Sequence, residues 1–357
     1  MKLEASFSKF NLKFKQPGGT SRGILHYKET YFIRVSNTID IGIGECALFR
    51  GLSIDDVPDY EQKLQWLCNN VNLDMDFLLT ELIEFPSILF GLEQALLSLK
   101  SKDNYELFPS EFTKGKDSIP INGLIWMGDK SFMQKQLKEK ISKGFSTIKL
   151  KIGAIDFSTE LAILKSIRNE FSADEIELRV DANGAFLPGE AMEKLKILSE
   201  FDLHSIEQPI KPGQWEEMAK LCDESPLAIA MDEELIGVFN DSDKEKLIRV
   251  IQPQYIILKP SLIGGYIGTD TWIELAEENN IGWWITSALE SNIGLNAIAQ
   301  YTYKLRSKIP QGLGTGGLFT NNIDSPLLVN NGALYYNKDN NGPHWGNYRN
   351  FIHFKFS

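Results

Sequence analysis

The sequence has few cysteines, no surplus of basic residues and no long apolar run. Three cysteines occur among 357 residues, Cys46, Cys68 and Cys222, and their odd number and wide spacing give neither a disulfide framework nor a CxxC metal site. The apolar runs are too short to span a bilayer, and the first residues lack the apolar region of a signal peptide. We therefore expect a cytoplasmic location and reduced cysteines.

Charge excludes further classes of partner. The chain carries 48 acidic and 37 basic residues, a formal net charge of −11, and it has no basic run. Such a chain is a poor binder of nucleic acids or of anionic membranes, so we expect neither as a partner. Hydrophobic residues make up 43% of the chain, which is enough for a sizeable core. Composition leaves open whether the chain forms a homo-oligomer.

Two patterns divide the chain near Ser118. Before it, strand-like alternation over about the first 50 residues is interrupted by a glycine-rich loop at 17–23 and is followed by helical periodicity, which is typical of an α+β unit. After it, strands and helices alternate. The strands are predicted at 119–126, 147–152, 175–180, 203–207, 227–232, 255–259, 282–286 and 309–313. Eight strands with helices between them favour a parallel α/β barrel over an open doubly wound sheet.

Charged residues end five of the predicted strands. Lys149 and Lys151 alternate with apolar residues and so share one face of their strand, a pattern that taken alone is typical of a solvated face. Acids end the next three strands and a lysine ends the one after; these residues are Asp181, Glu207, Asp232 and Lys259. In a parallel barrel such strand ends converge on one face, where chemistry is placed. We therefore expect these six residues to be neighbours.

Three converging carboxylates cannot all stay ionised without a counter-ion. Each one alone would more often be a helix cap or a solvated strand end, but acids on consecutive units with lysines on both sides favour a hard divalent cation with oxygen ligands. Burial and neighbouring positive charge lower the pKa of a lysine, so that its neutral amine can abstract a proton. The pattern thus predicts proton transfer beside a metal that stabilises an oxyanion.

The series of motifs resembles the muconate-lactonising subgroup of the enolase superfamily. The motifs are Lys149-Leu150-Lys151, Asp181-Ala182-Asn183-Gly184, Glu207-Gln208-Pro209, Asp232-Glu233 and Leu258-Lys259-Pro260. The resemblance implies a (β/α)7β TIM-like barrel at 116–319. It also implies an α+β capping domain from 1–115 plus 320–357, to which the Gly44-Glu45-Cys46 loop and the helix containing Leu92-Glu93-Gln94 would belong.

The resemblance also implies roles for the charged residues. Asp181, Glu207 and Asp232 would bind Mg²⁺, with Mn²⁺ as a possible substitute. Lys151 and Lys259 would face each other across a small-molecule carboxylate substrate, and Lys149 would support the site electrostatically. The remaining implied roles are these: Asn183 and Glu233 would support the ligands, Glu233 would pair with Lys259, and loops at 17–23 and 48–53 would close over the mouth. Arg22 and Arg50 are candidate carboxylate contacts, or equally solvated loop residues.

The residues that follow the seventh and eighth predicted strands restrict which reaction of this subgroup we expect. The predicted substrate contacts there are Thr286, Ser287, Gly312, Leu313, Gly314 and Thr315. The eighth-strand segment resembles o-succinylbenzoate synthases of menaquinone biosynthesis, whereas relatives that epimerise dipeptides carry Asp-x-Asp at that place. Here no acid follows until Asp324, so a buried ammonium would lack a partner, while small residues and free N–H groups suit a ring or a carboxylate tail.

The implied reaction is a Mg²⁺-dependent syn dehydration of 2-succinyl-6-hydroxy-2,4-cyclohexadiene-1-carboxylate to 2-succinylbenzoate. Lys151 would act as the base, an assignment that rests on the resemblance. A first alternative is an N-acylamino acid racemase or dipeptide epimerase, because two facing lysines also suit two-base chemistry. A second is a catalytically silent barrel used for binding, which the complete set of acids and lysines disfavours.

Overall fold

The structure, a computed structural model, describes residues 2–20, 23–103 and 105–337 of the chain. Its N-terminal part is a three-stranded antiparallel sheet in the order β1 (Glu4–Thr20), β2 (Gly23–Ser36) and β3 (Ile41–Cys46). The predicted loop at 17–23 is not a loop in the described residues. After a register shift, Gly18 pairs with Leu25 and Thr20 with Gly23, so β1 and β2 continue as a long hairpin.

Three helices cover one face of this sheet, and they are α1 (Tyr60–Asn70), α2 (Met75–Glu81) and α3 (Pro86–Lys100). Alternate residues of β2, such as Tyr31 and Ile33, pack into the core that these helices close. The approach of α3 to β3 is very tight, since a Cβ on Gly44 would lie 1.9 Å from the carbonyl oxygen of Gly91. Only glycine permits this contact.

The second part of the chain is the predicted barrel, and its fold class is confirmed. Parallel strands β5 to β11 follow one another in sequence order around a curled sheet. The strands are β5 (Gly123–Ile125), β6 (Thr147–Lys151), β7 (Glu177–Asp181), β8 (Ser205–Glu207), β9 (Ile229–Met231), β10 (Tyr255–Leu258) and β11 (Gly282–Ile285). The eighth position is occupied by single bridges, in which Gly312 pairs with Thr286 and Gln311 with Ile121.

Helices follow the strands and cover the outside of the barrel. They are α4 (Lys130–Ser142), α5 (Phe157–Glu170), α6 (Pro188–Ser199), α7 (Trp215–Glu224), α8 (Asp241–Ile251), α9 (Gly265–Glu278) and α10 (Asn292–Leu305). Apolar residues such as Leu150 of β6 and Ile163 of α5 meet in the main core between strands and helices. The opposite side of each strand faces the barrel interior, where the Arg179 guanidinium lies 4.5 Å from the Trp284 ring centre.

Two segments differ from the predicted division of the chain. The strand expected at 119–126 is split, because β4 (Ser118–Pro120) pairs with the C-terminal hairpin while β5 pairs with β6. That hairpin consists of β12 (Leu327–Asn330) and β13 (Ala333–Tyr336). This part of the tail therefore adds to the barrel side, whereas the ring of Phe319 packs against Phe14 of β1 at 4.7 Å. Residues 338–357 lie outside the described residues.

Two carboxylates of the capping domain accept hydrogen bonds at the N-termini of barrel helices. Glu45 is fully buried and accepts hydrogen bonds from Ser291 N and Gly294 N, both at 2.9 Å, at the start of α10. Glu93 accepts from Tyr266 N at 2.7 Å at the start of α9. A helix N-terminus has unpaired N–H groups and favours negative charge. We call Glu45, Glu93 and the two helix N-termini the domain joint.

The remaining sequence expectations concern cysteines and membranes. Cys46, Cys68 and Cys222 are buried and form no disulfide. Burial raises the pKa of all three thiols, to about 11 for Cys68 and about 12 for Cys222, so they are poor nucleophiles. Among the helices in the described residues, none is both long and apolar enough to cross a bilayer.

Candidate active site

The two lysines of β6 point into the barrel at the carboxyl ends of its strands. Their apolar neighbours Ile148 and Leu150 are buried in the outer core, so the alternation of the strand turns Lys149 and Lys151 inward. Both lysines are at least nine-tenths buried. The solvated-face interpretation of this strand is therefore wrong for this chain.

The three predicted acids lie beside these lysines. Asp181 ends β7, Glu207 ends β8 and Asp232 directly follows β9. Strand register places Asp181 next to Lys151 on one side and next to Glu207 on the other. All three carboxylates are 2% exposed or less, so their charges must be balanced within the protein or by a bound ion.

Each acid contacts a lysine. Lys149 Nζ lies 3.0 Å from Asp181 Oδ2 and 2.7 Å from Glu207 Oε2. Lys151 Nζ lies 2.6 Å from the same oxygen of Asp181. Lys259, which directly follows β10, forms an ion pair with Asp232. The structure thus brings together all six charged residues that the strand ends predicted.

The pKa directions show how strongly the charges interact. Burial alone would raise the pKa of Asp181, but the Lys151 and Lys149 ammonium groups outweigh it and hold that pKa below its usual range. Burial would lower the pKa of Lys149 and of Lys259, but the adjacent carboxylates raise both. These two lysines are therefore held protonated.

Glu207 is the exception among the acids. Its Oε1 atom is buried and has no hydrogen-bond partner in the structure. Burial, and then repulsion by Asp181, raise the pKa of this carboxyl well above its usual range. The raised pKa favours the protonated form of Glu207, because the described residues would compensate its negative charge incompletely.

This set of donors fits a hard divalent cation. Carboxylate oxygens are the ligands that Mg²⁺ prefers, and Glu207, with its unpartnered oxygen, lies close enough to Asp181 and Asp232 for their charges to raise its pKa. Within the described ranges, however, no three acidic, histidine or cysteine side chains already surround one metal position. Lysine ammonium groups hold carboxylate oxygens there instead.

The side chains of Asn183 and Glu233 extend the charged cluster beyond Lys151. Asn183 accepts from Lys151 Nζ at 2.7 Å and donates to Glu233 at 2.9 Å. The sequence placed Asn183 and Glu233 correctly beside the cluster. The pairing expected for Glu233 with Lys259 takes the form of an attraction that, after Asp232 and Glu207, helps to raise the lysine pKa.

Gln208, which lies in the Glu207-Gln208-Pro209 motif, is a functional residue that the sequence did not predict. Gln208 is fully buried and its Oε1 accepts from the backbone N of Asp232 and of Glu234, both at 3.2 Å. Gln208 and Asn183 also have left-handed backbones, with φ of 39° and 44°. Residues other than glycine rarely adopt this conformation. The positive φ values occur directly after strand ends, which is where functional sites store strain.

A cavity opens beside the lysines at the mouth of the barrel. Besides Lys149, Lys151 and Lys259, it is lined by five of the predicted substrate contacts, which are Thr286, Ser287, Gly312, Gly314 and Thr315. Leu313 is not among the lining residues, because its side chain is fully buried in the main core. Arg22 lies outside the described residues.

The sequence missed the apolar walls of the cavity. The missed residues include Phe49, Leu52, Leu124, Trp126 and Leu289. Apolar residues in a sequence look the same whether they line a cavity or fill a core. Trp126 alone carried a signal, since it ends the first predicted barrel strand in the way that charged residues end the others.

The capping domain contributes to this cavity through two segments. Phe49 and Leu52 of the loop at 48–53 line it, and a Cβ on Gly18 would lie 3.1 Å from the Trp126 ring. Arg50 of the same loop forms ion pairs with Glu29 and Asp56 within the capping domain. The structure does not bring Arg50 to the cavity.

Comparisons with known proteins agree with this geometry. The family model described as Enolase C-terminal domain-like matches residues 133–339. The o-succinylbenzoate synthase of Desulfotalea psychrophila is 48% identical to the chain, with 93% of this chain and 98% of that protein covered. The D-Ala-D/L-Ala epimerase of Cytophaga hutchinsonii is 26% identical, with 81% and 80% covered.

Solved structures agree as well. MenC from Desulfotalea psychrophila superposes with a TM-score of 0.84 at 44% identity and covers 94% of this chain and 100% of its own. An o-succinylbenzoate synthase from Thermosynechococcus elongatus, solved with Mg in its active site, has a TM-score of 0.73 at 21% identity and covers 92% and 96%. At that identity it shows the shared fold alone.

Proposed function

Because the chain belongs to the enolase C-terminal domain-like family, we propose that it is an o-succinylbenzoate synthase. It dehydrates 2-succinyl-6-hydroxy-2,4-cyclohexadiene-1-carboxylate to 2-succinylbenzoate, a lyase reaction of menaquinone biosynthesis. The similarity to the Desulfotalea psychrophila enzyme extends over nearly the whole chain, so the assignment does not depend on a single motif.

One observation on the cavity supports this substrate over its alternatives. Four lysines line it, Lys140, Lys149, Lys151 and Lys259, and none of the described lining residues is acidic. A substrate with two carboxylates suits such a lining, whereas the ammonium of a dipeptide would be left without a counter-charge. The cavity thus favours a dicarboxylate.

A divalent metal is implied for this family, and we assign Mg²⁺ to Asp181, Glu207 and Asp232, with Mn²⁺ as a substitute. The hard oxygen donors and the unpartnered Glu207 oxygen support this choice. When bound, the cation supplies positive charge that stabilises the negative charge developing on the substrate carboxylate and favours the neutral form of an adjacent lysine.

Lys151 moves the proton. In its neutral form, Lys151 Nζ removes the hydrogen from the ring carbon that bears the carboxylate, and the electron pair passes to that carboxylate. The Lys151 ammonium then returns the proton to the ring hydroxyl, so that the C–O bond breaks, water leaves and the ring becomes aromatic. Both transfers use one atom on one face of the ring, which gives a syn elimination.

The other two lysines act by charge. Lys259 stays protonated because Asp232 holds it, and its ammonium stabilises the anionic intermediate from the opposite side. Lys149 bonds both Asp181 and Glu207, so it fixes the spacing of these two carboxylates. Asn183 orients Lys151 through its side-chain oxygen.

The test is a spectrophotometric dehydration assay with and without Mg²⁺ on the wild type and on Lys151→Ala. We expect chelation to abolish activity and the substitution to lower kcat by about 10²- to 10⁴-fold, the usual contribution of a general acid–base group. Lys143→Ala is the matched control, since its exposed side chain pairs only with Glu139 on α4 among the described residues. Full activity in the metal-free enzyme or in Lys151→Ala would sink the mechanism.

N-acylamino acid racemisation is the second candidate. Lysines on two sides of the cavity suit a two-base exchange, and an N-succinyl amino acid carries no ammonium that would need a partner. Deuterium uptake at the α-carbon of N-succinyl amino acids in D₂O measures it. Uptake that is absent while dehydration is robust would remove racemisation as a main activity.

A further inference from the structure

One face of β2 packs against the barrel beside the cavity. Lys28 and Phe32 lie on this face and both are buried. Phe32 packs with Ile293 of α10, and Leu12, the register partner of Lys28, packs with Leu289. Lys28 therefore lies where the capping domain meets the loop that follows β11.

The Lys28 ammonium is a buried charge outside the cluster of acids and lysines. It is 4% exposed, and its Nζ makes no hydrogen bond within the part of the chain that the structure describes. Burial lowers its pKa, and attraction by Glu45 and Glu290 opposes that effect. Glu45 already accepts four donors from Thr30, Ser291 and Gly294. Its charge is thus largely committed to the domain joint.

Glu290 is the second carboxylate near Lys28, and it holds one wall of the cavity. It is fully buried and accepts from Ser261 Oγ and from Ser287 Oγ, both at 2.6 Å. Thr315 Oγ1 donates in turn to Ser287 Oγ at 2.8 Å. Ser287 and Thr315 line the cavity, so this chain of hydrogen bonds connects Glu290 to the substrate side.

The backbone beside Glu290 is strained. Leu289 has φ of 62°, a conformation that is uncommon outside glycine, and its N–H donates to Ser287 Oγ at 3.0 Å. Such strain persists only where surrounding contacts enforce it. Here Ser287 is saturated, since it donates to Glu290 and accepts from Leu289 and Thr315. The position of the wall therefore depends on Glu290 as the acceptor for Ser261 and Ser287.

We propose that Lys28 is a positioning residue whose ammonium, supplied by the capping domain, is a counter-charge for Glu290 and so fixes Ser287 and Thr315 in the cavity wall. This inference deepens the proposed function and rests on it. It explains why a lysine is buried in a sheet that does no chemistry. It also makes substrate affinity depend on docking of the capping domain, although Lys28 touches no reacting atom.

The test uses Lys28→Met, which keeps the length of the side chain and removes its charge. With Mg²⁺ and the cyclohexadiene substrate, KM rises about tenfold and kcat stays within about twofold, because binding and not proton transfer is affected. The urea midpoint does not fall, since an apolar side chain replaces a buried ammonium. Lys13→Met, an exposed lysine of the adjacent β1, leaves KM unchanged.

A second arm needs no substrate. Glu290→Gln removes one of the two carboxylates that attract the Lys28 ammonium, so the urea midpoint falls, and adding Lys28→Met to it raises the midpoint again. A wild type without dehydration activity would refute the proposed function, and this arm would still decide the pairing. The inference is overturned if Lys28→Met leaves KM unchanged, if KM and stability worsen together, or if the double variant is no more stable than Glu290→Gln.

Discussion

Two groups of buried carboxylates lie on the same side of the barrel, and they are neutralised in different ways. At the domain joint, Glu45 accepts from two backbone N–H groups and two hydroxyls. In the active site, Asp181 and Glu207 share the ammonium of Lys149, and one oxygen of Glu207 has no partner. Both carboxylate oxygens of Glu45 have donors within the protein, whereas one oxygen of Glu207 has none among the described residues.

The difference lies in what provides the compensating charge. Helix N-termini are fixed dipoles that cannot leave the carboxylate without unfolding the helix. Lysine ammonium groups sit on flexible stems and can exchange one partner for another. A carboxylate that only joins domains is best satisfied by the first, whereas a carboxylate that must accept a cation and let a lysine react needs the second.

The largest expected effect comes from Glu207→Gln in the active site. We expect dehydration to fall at least about 1,000-fold, because loss of even an outer partner of a metal ligand commonly costs 10- to 100-fold. The urea midpoint of the metal-free protein should hold, since the buried site already disfavours the charged form of Glu207. Titration with Mg²⁺ followed by the assay measures the first effect. Near-normal activity would remove Glu207 from the metal site.

The same Glu→Gln substitution at the domain joint should lower the free energy of unfolding, which we do not expect at Glu207. Glu45→Gln keeps one acceptor oxygen and faces the donors of Ser291 and Gly294 with an amide NH₂. We expect a loss of about 3 kcal/mol in the free energy of unfolding, from two charged hydrogen bonds of roughly 1.5 kcal/mol each. Urea unfolding checks this value. An unchanged midpoint would mean that the joint does not depend on charge.

A smaller effect concerns pH. Burial raises the pKa of Glu93 to about 8, because its two backbone N–H donors only partly oppose the burial. A folded-state pKa above the unfolded value gives stability that is present at low pH and lost as pH rises through about 8. The wild type should therefore lose stability relative to Glu93→Gln as the pH rises from 4.5 to about 8. Parallel stability curves for the two proteins would contradict it.

The smallest effect is expected at Arg50, whose ion pairs with Glu29 and Asp56 are partly solvent-exposed. Exposed pairs contribute about 1 kcal/mol or less, so Arg50→Gln should shift the unfolding free energy by no more than that. KM should change less than twofold, because the structure keeps Arg50 away from the cavity. A large rise in KM would restore Arg50 as a substrate contact.

The charged residues of the site could be predicted because two sequence signals combine. One is the apolar alternation that identifies the strands, and the other is the location of the charged residues at strand ends. Lys151, Asp181, Glu207, Asp232 and Lys259 each end a strand of a parallel barrel, and strand ends of such a barrel converge whatever the helices between them contain. Whether these residues hold Mg²⁺ and move the proton stays a prediction.

The features that the sequence did not predict depend on contacts between segments that are far apart in the chain. The strand at 119–126 is split because β13, more than 200 residues later, takes half of it. The glycines at 18 and 19 extend a hairpin because β2 offers them partners. Leu313 looked like a substrate contact by position, yet its side chain is directed into the core. No local pattern distinguishes these outcomes.

Closure of the barrel by two single bridges, at Gly312 and Gln311, gives the molecule a seam. With few ladder hydrogen bonds to break, the amides at the seam should exchange with deuterated water sooner than those of β6 or β7. The seam also bears Gly312, Gly314 and Thr315, which line the cavity. Residues at the seam can therefore be substituted without disturbing the charged cluster. A lineage could in this way change its substrate while keeping the lysines and acids of the cluster.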